Sequence, residues 1–165
     1  MFSTLLRRSL IATVGLLASS LPRAANAQTA LQTLSFAINA INQIGFTGAP
    51  SLTISAAAAG SAPTSVTNAT ATWAVTTNQT GAKITASIPT VMPAGLTLSV
   101  NLTAPAGATS AGYKSLGTVS IDAVTGVTKV AQAALGVLYK LDATPVAGVI
   151  ASATRVVTYT ITGGT

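Results

Sequence analysis

The sequence predicts an all-β protein: an antiparallel β-sandwich, Ig-like or jelly-roll-like, of about eight or nine short strands behind an N-terminal signal peptide. Three observations carry this. The chain is rich in Thr, Ala, Ser, Val and Gly and poor in charge, with 6% Asp, Glu, Lys and Arg. Thr, Val and Ile favour pleated strands, and the Lys, Glu and Gln that clothe surface helices are scarce. Apolar residues recur with period two in segment after segment, separated by Gly, Pro and Asn. A barrel is the alternative closure of the same strands. No fixed-period repeat points to a solenoid.

The first 27 residues read as a secretory signal. Arg7 and Arg8 precede an apolar run over 10–18, and Ala25-Asn26-Ala27 supplies the small-residue cleavage site. The run is shorter than the ~20 residues that span a bilayer. Cleavage after Ala27 leaves one domain, residues 28–165. Export to the cell surface or the extracellular medium, or to the periplasm, is the expected destination, and no later segment is expected to span a membrane. The Arg pair leaves both general and twin-arginine export open. The chain has no cysteine, so the exported domain relies on its core or on assembly rather than on disulfides.

The predicted strands follow in order. Leu34, Phe36 and Ile38 alternate with Ser35, Ala37 and Asn39. Ile41, Ile44 and Phe46 continue in shifted phase, which places a bulge or bend near Ala40. Leu52, Ile54 and Ala56 alternate after the turn at Gly48-Ala49-Pro50, and 57–64 reads as a loop. The longest alternation is 67–77, with Ala69, Ala71, Trp73 and Val75 on one face. Asn78-Gln79-Thr80-Gly81 has the composition of a hairpin turn. Ile84, Ala86 and Ile88 mark the next strand, and Leu96, Leu98, Val100 and Leu102 the one after Met92-Pro93-Ala94-Gly95. After a loop at 105–112, Leu116, Val119 and Ile121 suggest a weaker strand that stops at 122–126. Leu135, Val137, Tyr139 and Leu141 form the next, and Val157, Tyr159 and Ile161 the last.

The side-chain inventory removes most chemistry. There is no His and no Glu, and Asp122 and Asp142 are the only acids. General acid–base and nucleophilic catalysis need a tuned base beside the reacting group, and zinc or iron sites need Cys, His or several carboxylates. The chain is therefore read as a non-enzyme with no catalytic residues, no metal ligands and no cofactor. Two acids twenty positions apart fall short of a calcium site, and are read as turn or solvent residues. The mature cations Lys83, Lys114, Lys129, Lys140 and Arg155 are scattered, without the basic stripe of a nucleic-acid binder. Asn68, Asn78 and Asn101 match the glycosylation sequon, as chance matches do in a Thr-rich chain. Trp73 shares a face with Ala71 and Val75 and is read as core. Tyr159 is read as a core residue whose hydroxyl bonds to a loop.

The candidate assembly element is the first strand, with Leu34, Phe36, Ile38 and Ile41. A terminal strand with large apolar side chains on one face can complete its own sheet or, by strand addition, that of a neighbour. Low surface charge favours association.

The stretches 34–41 with 48–54, Lys83-Ile84-Thr85-Ala86, Met92-Pro93-Ala94-Gly95-Leu96-Thr97-Leu98 and the ending 155–162 resemble a group of secreted, uncharacterised bacterial β-sandwich proteins. The resemblance spans nearly all of the mature chain. It is similar in style to fimbrial-type and biofilm-matrix fibre subunits, which polymerise by donating a strand. It implies a structural subunit of an extracellular or cell-surface fibre that self-associates or joins a matrix component, and no catalytic residue. The alternative expectation is a monomeric adhesion or binding module for a carbohydrate or surface ligand, with loops 57–64 and 105–112 at its site.

Overall fold

A computed structural model describes residues 26–165 of the 165-residue chain. The signal-peptide reading falls on residues 1–27, nearly all of them outside the described ones. The chain divides into two units, Met1–Phe36 and Ala37–Thr165, and every strand of the described residues belongs to the second.

That second unit is a β-sandwich of two antiparallel sheets. Its strands are β1 (Asn42–Thr47), β2 (Val66–Thr77), β3 (Ala82–Ser87), β4 (Leu96–Leu102), β5 (Thr109–Ser110), β6 (Lys114–Ser115), β7 (Ile121–Val127), β8 (Val130–Ala143) and β9 (Thr158–Thr162). One sheet has the order β1-β2-β8-β4-β6, the other β5-β7-β3-β9. From β2 onward each successive strand enters the opposite sheet. The turn at 78–81 is therefore an arch between sheets, not a hairpin, because turn composition reports a chain reversal and not which sheet receives the next strand. A second arch at Thr128-Lys129 lies beside it. The Lys129 amide donates to the Gln79 carbonyl at 2.9 Å, and the Gly81 amide to the Thr128 hydroxyl at 3.0 Å. The C-terminus joins this end through paired backbone bonds between Thr80 and Thr165.

β2 and β8 are the longest strands, and two bulges hold them in phase. At Ala69-Thr70 the register slips by one residue, because the Asn68 side-chain oxygen accepts from both the amide and the hydroxyl of Thr70. Ala69 is thereby exposed, and the inward face of β2 is Ala71, Trp73, Val75 and Thr77 rather than a run from Ala69. At Ala133-Ala134 of β8 an extra residue, with Ala134 at φ +57°, restores the count.

The core joins both sheets: Trp73, Val100, Leu102 and Val137 from one, Ile84, Val124 and Val127 from the other. Trp73 is 1% exposed and its indole N–H donates to the Thr103 carbonyl at 3.1 Å. Gly95 sits at φ +79° under a tight crossing, where an added Cβ would meet the Ala147 backbone nitrogen at 2.5 Å.

Three predicted strands are revised. Among the described residues, 34–38 form no strand, and neither do 52–56, where Leu52 and Ile54 are half-buried and Ala57 makes a single bridge to Pro63. The segment 122–126, expected to end a strand, is the body of β7, which tolerates Asp122 and Gly126 because its register against β3 slips there.

The Tyr159 hydroxyl bonds to the Tyr139 hydroxyl across the sheets at 2.7 Å, not to a loop. Burial raises the Tyr139 phenol above 10.0, partly offset by the hydrogen bond. Burial also raises Tyr159, and its bond to Tyr139 adds to the rise. A pKa raised by folding gives stability fully present below the unfolded value and lost as pH climbs through the folded one. Denaturant unfolding should therefore show stability falling with pH above about 10. Tyr159→Phe should flatten that slope and cost about 0.5–1.5 kcal/mol at neutral pH.

Candidate assembly site

The four predicted assembly residues do not behave alike. Leu34, Phe36 and Ile38 are 82%, 91% and 81% exposed. They lie in a segment, residues 26–40, in which every residue is exposed and none is in a strand. Ile41 is less exposed and adjoins β1. The period-two pattern is thus real in the sequence but has no sheet partner among the described residues, although backbone donors and acceptors with apolar side chains on one face are what a ladder requires.

The start of β1 is anchored by one side chain. Asn78 accepts the Ile41 amide on its Oδ1 at 2.8 Å, and its Nδ2 donates to the Asn39 carbonyl at 2.8 Å. The Asn78 amide donates in turn to the Ile41 carbonyl at 3.3 Å. β1 then pairs with β2 in unbroken register from Asn42↔Thr77 to Thr47↔Thr72. Nothing in the sequence reading singled out Asn78 for this role. Its position at a turn was the available signal, since turn Asn residues bond to neighbouring backbone.

β1 and β9 face each other along one side of the sandwich. The Phe46 ring stacks on Tyr159 with centroids 3.9 Å apart, and on Trp73 at 5.9 Å. The Asn42 side-chain amide donates to the Gly163 carbonyl at 3.4 Å. The apolar residues here, Ile44, Phe46, Val157, Tyr159 and Ile161, are only half-buried. On the opposite side, Val100 and Leu102 of β4 and Val124 and Val127 of β7 are sealed from solvent.

The polar groups offer little for chemistry. Asp122 pairs with Lys83 at 3.0 Å, and Asp142 with Lys140 at 3.0 Å. Asp142 also accepts a hydrogen bond from the Ser65 hydroxyl, which leads in holding its carboxyl below the usual range, against slight desolvation and with help from Lys140. No group of three or more His, Cys, Asp or Glu occurs among the described residues. Two open depressions, of about 370 and 320 Å³, are lined mainly by Thr, Ala and Val around Ile41 and around Phe46. Trp73 is sealed in the core and presents no face to a ligand, whereas Tyr113 is exposed after the 105–112 loop, which contains β5. The three sequon asparagines all use their side-chain oxygens internally. No helix among the described residues is long and apolar enough to cross a membrane.

Comparison with known proteins gives no match to a family model, a curated protein or a solved structure.

Asn78→Ala should release the junction without unfolding the sandwich. Amide exchange at Ile41 should accelerate at least tenfold, the equivalent of about 1.4 kcal/mol, while Val100 and Val137 keep their protection. Unchanged exchange at Ile41 would show that the β1–β2 ladder alone holds it.

Proposed function

We propose that this chain is an exported, non-enzymatic structural subunit of an extracellular or cell-surface fibre or matrix, assembled by donation of its N-terminal segment to another subunit. The observation that carries the reading is the exposure of Leu34, Phe36 and Ile38 in a segment patterned as a strand and paired with nothing among the described residues. Single exposed apolar residues are ordinary on protein surfaces, but three at period two on an uncharged stretch form a strand-addition motif. Between Arg23 and Lys83 the sequence has no charged residue. The acid–base inventory supports the non-enzymatic part of the proposal, since both acids are engaged with lysines.

Magnitudes set the terms of assembly. Burying Leu34, Phe36 and Ile38 contributes roughly 5–9 kcal/mol at about 1.5–3 kcal/mol each. Association costs about 4–15 kcal/mol in lost freedom of motion. Side chains alone therefore leave little surplus, and a backbone ladder along the docked segment has to supply the rest. Affinity should accordingly be sensitive to a single large side chain.

Size-exclusion chromatography and negative-stain microscopy of the exported protein, Gln28 to Thr165, should show filaments or a ladder of oligomers. Deleting residues 28–40 should give monomers secreted at the normal level, and polymers formed by the truncated protein would refute strand donation. Phe36→Ala should weaken association by about 2 kcal/mol, roughly thirtyfold, while leaving the unfolding free energy of the monomer within about 0.5 kcal/mol.

A further inference from the structure

The sandwich is uneven: five strands in one sheet face four in the other. The unevenness falls on the β1/β9 side, where the ring of Phe46 and the side chains of Ile44, Tyr159 and Ile161 stay half-covered. At the other side both sheets end in two-residue strands, and the core beneath them is closed. One further strand beside β9 would make five over five and cover the half-exposed face of β1.

The edge of β9 has none of the usual guards against strand addition. Edges are protected by charge, proline, bulges or brevity. β9, Thr-Tyr-Thr-Ile-Thr, has no charge and no proline, and its register with β3 runs unbroken from Thr162↔Lys83 to Thr158↔Ser87. β5 and β6 are two residues each, and β6 carries Lys114. A strand added to β1 instead would make six over four and deepen the mismatch.

We propose that the free edge of β9, backed by Phe46 and Tyr159, is the acceptor for residues 34–38 of a second copy of this chain. This rests on the strand-donation reading above and names its other half. The match is one of length, period and charge. Leu34, Phe36 and Ile38 span five residues, as β9 does, and alternate apolar with small or polar residues as Val157, Tyr159 and Ile161 do. Neither residues 34–38 nor β9 carry a charged side chain, and Arg155, two residues before Val157, is the nearest charged side chain in sequence. With Leu34, Phe36 and Ile38 turned toward the rings, Ser35 and Ala37 lie on the same outer face as Thr158, Thr160 and Thr162.

The chain contains no cysteine, so introduced thiols report on contacts cleanly. Ser35→Cys is combined in turn with Thr158→Cys, Thr160→Cys and Thr162→Cys in the full exported protein, which is oxidised and run on non-reducing gels. Neighbouring strands lie ≈ 4.7–4.9 Å apart, within the Cα separations that disulfides span. Ser35→Cys with Ser115→Cys, on the opposite edge, is the control. The expected result is a ladder of covalent multimers from at least one β9 pair, none from the control, and at least a tenfold loss of ladder when Phe36→Ala is added. A monomer with an internal cross-link would overturn the second copy as occupant. Filaments in the microscope with no β9 cross-link, or with a ladder from the Ser115 control, would overturn β9 as acceptor while leaving strand donation standing. Absence of both filaments and cross-links would overturn the two together.

Discussion

The structure depends on the pairing of β2 with β8. These are the two longest strands, they lie adjacent in the five-stranded sheet, and their inward residues, Ala71, Trp73 and Val75 from one and Leu135, Val137 and Tyr139 from the other, lay one wall of the core. A ladder of this length with a period-two apolar face holds only if the phase is right, since a slip of one residue turns every core side chain to water. The chain meets this condition with two compensating bulges. Asn68 creates one by capturing Thr70, and the left-handed Ala134 creates the other. Residues at φ > 0 are costly for alanine, by roughly 1–2 kcal/mol. The strain is offset because the second bulge cancels the first and brings the ladder back to its starting register at Val75↔Gln132.

From that wall an aromatic path leads to the edge. Trp73 stacks on Phe46, Phe46 on Tyr159, and Tyr159 shares a hydrogen bond with Tyr139 of β8. The path begins and ends on the central pair and passes through both edge strands, β1 and β9. On this least covered side of the sandwich large rings, rather than backbone hydrogen bonds between β1 and β9, bridge the two sheets. It also leaves the rings of Phe46 and Tyr159 half-covered, while Trp73 and Tyr139 stay buried. Polarised, flat ring faces gain from further contact beyond their area alone.

The composition and period of the sequence were enough to read a two-sheet sandwich, and β4 coincides with its alternation from Leu96 to Leu102. Trp73 was legible as core because its neighbours at period two are apolar. What was not legible has physical causes. The bulge at Ala69-Thr70 depends on a side-chain-to-backbone bond whose residue types are equally common in plain strands. The arches at 78–81 and 128–129 use ordinary turn residues, so connection between sheets cannot be told from connection within one. β7 hides behind Asp122 and Gly126, residues that normally end strands, because its register slips there and a lysine pairs the acid. For the candidate assembly segment, the pattern of Leu34, Phe36 and Ile38 was visible. That the pattern pairs with no strand among the described residues was not, since periodicity reports a face suited to burial and says nothing about what would bury it.

The placement of donor and acceptor decides the kind of assembly the proposal implies. In a two-fold dimer the same patch meets itself. Here the donor precedes β1 and the acceptor is the edge of β9, two different parts of one chain, so each subunit that receives a segment still has its own to give. Such a heterologous contact either closes into a ring or propagates without limit. The donated residues 34–38 are followed at once by Asn39 and Ile41, which Asn78 holds to the sandwich, so the docked strand sets the rotation from one subunit to the next within narrow bounds. That rotation, fixed by the short connection, decides between a closed ring and an open filament. The low charge of the chain fits strand addition in either form. Residues 34–38 and β9 itself carry no charged side chain, and an uncharged sheet edge without proline or bulge is the kind that accepts a further strand.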